Sequence, residues 1–290
     1  MLIRPDLERL DTASYELFCK AQQRQPWSAR ELIGSGATEL DDEQVRQAWI
    51  LASVGYYAEQ AGLVAAAELA AETEDYAFRM GLATAVADEA RHSDALMTYA
   101  LHRGGELADV HDDGYLDELH GMLSSSSYLE KCLLHTLLEG LAADQFVLLQ
   151  QLFRGDPLGE IYRYVRADEV RHVAIGLDYL RRSYADPRQR EEWDAHGAGW
   201  ERRCLELADL PSIGKGLGAE LGRPAEEIER WFASRHRARL RGAGMQFGPI
   251  QREGGDVRDD DQEGAAERDG DHHVSLPVVQ DSRGQDEASR

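Results

Sequence analysis

Cysteine is scarce. The 290 residues contain three, Cys19, Cys132 and Cys204. Their spacing matches neither a disulfide framework nor a zinc ribbon, and a reducing cytoplasm is the expected compartment. Long apolar runs are missing as well: none reaches 18 uninterrupted residues, so no transmembrane helix is expected. Arg4, Pro5 and Asp6 stand close behind Met1 where a leader would be apolar, so no signal peptide is expected. Positive charge is in deficit, with 32 Lys+Arg against 54 Asp+Glu and a net charge of −22. Binding to phosphate-rich surfaces draws on positive potential, so neither nucleic acid nor an anionic membrane is an expected partner. Runs of β-branched residues are few and hairpin turns are not signalled, which leaves an all-α chain.

What is present is helix punctuation. Tyr15, Leu17 and Phe18, with Leu7 and Leu10 before them, suggest an N-terminal helix, and Pro26-Trp27 and Gly34-Ser35-Gly36 interrupt the stretch after it. Asp41 with Gln44 three residues on reads as a capping box opening a long alanine-rich helix that runs to about Thr73. A second helix runs from about Asp75 to Arg103 and stops at Gly104-Gly105. A polar stretch from Asp109 to Gly114 opens a crossover, a third helix ends near Arg154, and a fourth runs from Pro157 to about Tyr184. Two or three more helices are expected beyond 187. Pro224 opens one at a first-turn position, and its basic run from Arg235 to Arg241 suits a helix C-terminus. Gly214-Lys215-Gly216-Leu217-Gly218 lacks the spacing of a phosphate loop and reads as a flexible turn. The expected organisation is therefore a helical extension over 1–42, a four-helix bundle over 43–186, a second helical extension over 187–250, and an acidic tail over 251–290. That tail, with 12 acids and 5 bases, is expected to be disordered.

The bundle carries an internal repeat. Ala87-Asp88-Glu89-Ala90-Arg91-His92 recurs 80 residues later as Ala167-Asp168-Glu169-Val170-Arg171-His172, Glu59 recurs as Glu139, and Tyr99 as Tyr179. Such a repeat points to a duplicated helical hairpin. Glu59 and Glu89 each lie about 15 residues from the turn between them, roughly 22 Å along a helix, so antiparallel packing sets them at one height. Glu139 and Glu169 flank the next turn in the same way. Glu and His three apart project from one helix face. Two such hairpins face to face bring four carboxylates and two imidazoles, Glu59, Glu89, His92, Glu139, Glu169 and His172, to one level of an apolar core. Burying four carboxylates is prohibitive without cations. Two divalent ions offset that charge, and mostly oxygen ligation with one histidine per metal suits iron or manganese better than structural zinc. Asp88 and Asp168 are placed to accept the second N–H of the histidine across the bundle, with Arg91 and Arg171 pairing to them.

At these residues, over about 43–184, the chain resembles the ferritin-like superfamily. It is most similar to the branch of ribonucleotide reductase small subunits, bacterial multicomponent monooxygenase hydroxylases and acyl-carrier-protein desaturases. The resemblance implies a diiron centre, with a manganese–iron pair as the variant, that activates dioxygen with electrons from a ferredoxin or reductase. Departures narrow the match. The radical tyrosine of the reductases would stand just past His92, where Leu96 and then Tyr99 occur; Tyr99 either faces the site as a catalytic group or packs in the core. Ala142 and Ala143 replace the threonine found after the third-helix glutamate in many oxygenases. Val165 stands where arylamine N-oxygenases carry a third histidine.

His135, four residues before Glu139 on the same face, is a candidate extra ligand, proton donor or pocket residue, with a core histidine as the alternative. Tyr56, Ala85, Leu96, Ala142, Val165 and Gly176 lie a turn from ligands and are expected to line a cavity. The expected activity is a diiron oxidase or oxygenase that hydroxylates, desaturates or N-oxygenates a small or medium organic substrate, as a monomer or homodimer. The chain's acidity disfavours an acidic acyl-carrier partner. The alternatives are an iron-handling ferroxidase or storage protein, and a non-catalytic metal-binding protein.

Overall fold

A computed structural model describes residues 12–23, 27–35, 38–108, 121 and 126–247. The expected crossover at 109–114, the tail at 251–290, and Leu7, Leu10, Pro26 and Gly36 lie outside these residues. Among the described residues the chain forms nine helices: α1 (Ala13–Gln23), α2 (Ala29–Ser35), α3 (Asp42–Glu72), α4 (Tyr76–Gly104), α5 (Tyr128–Leu152), α6 (Pro157–Ala185), α7 (Pro187–Ala208), α8 (Leu210–Leu221) and α9 (Ala225–Gly242).

The helix ends are set by local chemistry. Asp41 and Gln44 form the reciprocal capping box that opens α3. Asp75 caps α4 through the Phe78 amide, and Gly105, at φ 75°, ends it in the left-handed conformation that glycine adopts without strain. Asp156 caps α6 in front of Pro157. The two hairpins, α3–α4 and α5–α6, pack with α4 facing α6. They lock reciprocally at their ends. Arg103, at the end of α4, pairs with Asp156 at 2.5 Å, and Arg182, near the end of α6, pairs with Asp75. Each hairpin's cap thus lies beside the other hairpin's last turn.

Coverage of the bundle is uneven. α1 and α2 lie against α4 and α6, α7 lies against α5 and α6, and α8 and α9 pack as a pair against α5. The α3–α5 side touches sparsely. Helix α5 is long and apolar enough by composition to cross a membrane, and most of it is buried in the bundle. Its buried Asp144 receives Arg235 and Arg239 of α9, the latter at 2.5 Å. The basic run therefore does more than terminate α9: it anchors α9 to α5. Residues 214–218 are helical within α8, which corrects the expected flexible turn. A Cβ at Gly214 would meet Glu229, and one at Gly218 would meet the Arg223 carbonyl. Glycines one turn apart let the start of α9 approach the α8 backbone, so here they serve packing. Pro224 is the N-cap of α9, one residue before its first turn.

Gly176 lets α6 approach α5 closely at Thr136. A Cβ there would collide with Thr136, which is buried and hydrogen-bonded to the Cys132 carbonyl at 2.7 Å. Gly176→Ala is therefore expected to destabilise the fold by about 1–3 kcal/mol, read as a lower denaturation midpoint at unchanged slope.

Candidate metal centre

The six residues of the repeat converge. Glu59 comes from α3, Glu89 and His92 from α4, Glu139 from α5, and Glu169 and His172 from α6, and all six are buried. They form two overlapping groups: Glu59, Glu89, His92 and Glu169, and Glu89, Glu139, Glu169 and His172. In each group one donor atom per residue lies within 4.8 Å of all the others. Glu89 and Glu169 belong to both groups; Glu59 with His92, and Glu139 with His172, belong to one each.

Both imidazoles aim Nδ1 at the carboxylates. His92 Nδ1 lies 3.1 Å from Glu169 and 3.3 Å from Glu59. His172 Nδ1 lies 3.1 Å from Glu89 and from Glu169, and 3.5 Å from Glu139. Both Nε2 atoms turn outward, to Asp168 at 3.4 Å for His92 and to Asp88 at 3.2 Å for His172. Each histidine is thus held by an aspartate of the opposite hairpin. Arg91 binds both Asp88 and Asp168, and so does Arg171. Burial is the largest influence and works to raise both aspartates, but the hydrogen bond and charge of His172 with the charge of Arg171 at Asp88, and the hydrogen bonds of His92, Trp27 and Arg171 with the charge of His92 at Asp168, together outweigh it and hold both below the usual carboxylate range. An ionised aspartate only accepts, so Nε2 carries a proton and Nδ1 is the nitrogen left to bind a cation, which would displace any proton held there.

The interior lacks that compensation. Burial, then the charge of Glu89, pushes Glu59 well above its ordinary value. Burial, then Glu139, pushes Glu169 up to about 8. Glu89 Oε1 and Glu169 Oε1 are buried and make no hydrogen bond of good geometry; each has a histidine Nδ1 beside it at 3.1 Å, His172 and His92 respectively. These oxygens sit on the two carboxylates common to both groups. Two divalent cations would satisfy them and neutralise the four glutamates, so this donor set fits a metal pair.

A cavity of about 220 Å³ opens over the glutamates between α3 and α5. Its floor is Glu59, Glu89, Glu139 and Glu169, and His135 stands in its wall. His135 Nδ1 lies 3.2 Å from Glu139, and burial pulls its pKa below the ordinary histidine value. Of the six residues expected to line a cavity, Ala142 does; Tyr56, Ala85, Leu96, Val165 and Gly176 do not. The space lies on the sparsely packed α3–α5 side, whereas Ala85, Leu96 and Val165 are buried in helix contacts and Gly176 is pressed on Thr136. Tyr99 is not brought to the six residues. Its hydroxyl donates to Asp156 at 2.7 Å, so it buttresses the cap of α6 from the end of α4.

Two contributors carry no mark in the sequence pattern used above. Trp27 Nε1 donates to Asp168 at 3.1 Å, and its ring stacks over His92 with centroids 6.1 Å apart. It comes from outside the repeat, where spacing carries no information about it. Gly62 leaves room for Glu89, whose Oε2 would lie 3.0 Å from a Cβ at that position; it lies three residues after Glu59, on the same face of α3, and that spacing is the available signal.

No family model matches the chain, and no curated protein matches it. Solved structures do. Three variants of an R2-like ligand-binding oxidase with reconstituted Mn/Fe cofactor superpose on 80% of this chain. They cover 93%, 93% and 97% of the oxidase chains, with TM-scores of 0.60, 0.60 and 0.58 at 15%, 17% and 18% identity. At that identity the likeness establishes the ferritin-like all-α fold.

Proposed function

We propose that this chain is a dimetal oxidase that uses dioxygen to oxidise a small organic molecule bound beside Glu59, Glu89, Glu139 and Glu169. The observation that carries the reading is a buried set of four carboxylates and two imidazoles whose glutamates floor a largely aliphatic cavity between α3 and α5. Two iron ions, or a manganese–iron pair as in the similar oxidases, fit the donors. The metals, when bound, supply the redox electrons. The chain's own residues do the rest. Asp88 and Asp168 orient the histidines, Arg91 and Arg171 pair with both aspartates, and aliphatic side chains of α3 and α5 form much of the cavity wall. Turnover calls for an external electron donor of the ferredoxin or reductase class. Hydroxylation, desaturation and N-oxygenation all suit such a centre.

An iron-storage protein accumulates many ions per subunit, whereas an oxidase stops at its site. Titrating ferrous iron into the metal-free protein under air is expected to saturate at about two per chain, with the protein eluting as a monomer or dimer. Continued uptake by a large shell would refute the oxidase reading.

A further inference from the structure

One group in the cavity wall breaks the 80-residue repeat. His135 stands one turn before Glu139, and the residue in the equivalent place before Glu59 is Gly55. The two hairpins fill this level differently. A Cβ at Gly55 would meet Leu96 at 2.8 Å, so apolar packing closes that position. In the second hairpin Gly176 stands where the first has Leu96, and α5 brings an imidazole to the cavity instead.

That imidazole is uncommitted. His135 is 7% exposed, belongs to neither four-residue donor group, and makes no hydrogen bond among the described residues. Its polar neighbour is Glu139, whose two oxygens are divided. Oε2 lies 3.5 Å from His172 Nδ1, toward the donor groups, and Oε1 lies 3.2 Å from His135 Nδ1, toward the cavity wall. A buried ring nitrogen without a hydrogen bond is costly, and a molecule in the cavity beside Glu139 lies where it can supply one. In either tautomer a neutral imidazole has an N–H to donate. The facing wall offers no such group: Glu59 apart, every α3 residue that lines the cavity is aliphatic or glycine.

We propose that His135 is the hydrogen-bonding residue for a small ligand taken up in this cavity, holding the ligand's acceptor atom on the α5 side beside Glu139 with its apolar part against α3. This rests on the dimetal oxidase reading and names the residue that orients the ligand there. Among molecules able to coordinate the metals, His135 then favours those that also accept a hydrogen bond.

The probes are sodium azide and nitric oxide, added to the ferrous-loaded, oxygen-free protein and followed by absorption spectroscopy. Both bind ferrous iron; azide is a good hydrogen-bond acceptor and nitric oxide a poor one. His135→Leu keeps the wall filled and removes the donor. It is expected to weaken azide by about tenfold and to change nitric oxide affinity by less than about twofold, with about two metals per chain retained. His135→Gln, which restores an N–H donor, is expected to recover most of the azide affinity. A histidine that only packs the core would lower the melting temperature of both variants and leave azide affinity unmoved. The inference is overturned if azide does not bind the parent, if His135→Leu binds azide as the parent does, if nitric oxide weakens together with azide, or if His135→Gln is as weak as His135→Leu. Elemental analysis of the parent separates the two readings. Two metals with azide binding indifferent to His135 keeps the dimetal reading and overturns this inference alone; a parent that loads no metal pair removes both.

Discussion

Replacing Glu89 or Glu169 alone by alanine is expected to empty both metal positions, whereas Glu59→Ala or Glu139→Ala is expected to empty chiefly one. All four are buried glutamates in apolar helices, and the repeat treats them as two equivalent pairs. The structure separates them. Glu89 and Glu169 each supply a donor to both four-residue groups. Deleting either removes a shared ligand and leaves the remaining glutamates unable to neutralise two cations. Glu59 and Glu139 each serve one group. Elemental analysis of protein produced with iron should give a metal content near zero for the first two variants and about one per chain for the second two, against about two for the parent. Equal losses in all four variants would contradict the shared-carboxylate arrangement, and a single zinc retained throughout would contradict a metal pair.

The metal-free protein is expected to melt at a temperature that falls steeply as pH rises from about 6 to 8.5, and metal loading should flatten that dependence. Glu59 and Glu169 are raised, first by burial and then by Glu89 and Glu139 respectively. His92 and His172 are also raised, because the surrounding carboxylates outweigh the burial that would lower them. A group whose pKa is higher in the folded state contributes its stability fully below the unfolded value, about 4.3 for Glu and 6.5 for His. That contribution is lost as pH climbs through the folded value, which is about 8 for Glu169.

Glu139 runs the other way. Burial raises it, but Glu169, His135 and His172 outweigh that and hold it below its ordinary value, so its contribution is present at neutral pH and lost on acidification. Between about pH 6 and 8.5, then, Glu59, Glu169, His92 and His172 act with one sign, and the depressed His135 opposes them only over the titration of the unfolded histidine near 6.5. Each displaced pKa unit carries about 1.4 kcal/mol, and a domain of this size shifts by about 2–4 °C per kcal/mol. Together these give a fall on the order of 10 °C for the metal-free protein. Bound cations would replace the protons, so loading in weak buffer should also release protons. Equal melting temperatures of the metal-free protein at both pH values would argue against a core that needs cations.

Much of the centre was legible because it obeys local periodicities. The turns at 73–75 and 153–157, with glutamates about 15 residues to either side, set the heights of Glu59, Glu89, Glu139 and Glu169. The i, i+3 spacing put each Glu–His pair on one face, and the repeat dictates the crossed pairing of Asp88 with His172 and Asp168 with His92. Residues outside the repeat were not legible in this way. Tyr99 sits two turns past His92, where spacing allows either the site or the core, and it is the distant Asp156 that takes its hydroxyl. The glycines at 214 and 218 read as a turn until α9 is seen lying against them.

The sequence by itself determined the four bundle helices, the common level of the four glutamates and two histidines and the demand for cations, because helix period, capping chemistry and the cost of buried charge act over one or two turns or through composition. Only the tertiary structure decided which glutamates are shared, that Trp27 covers the His92–Asp168 pair, and that the cavity opens between α3 and α5. Those depend on which sides of the bundle α1, α2, α7, α8 and α9 cover, and packing between segments far apart in the chain leaves no period in the sequence.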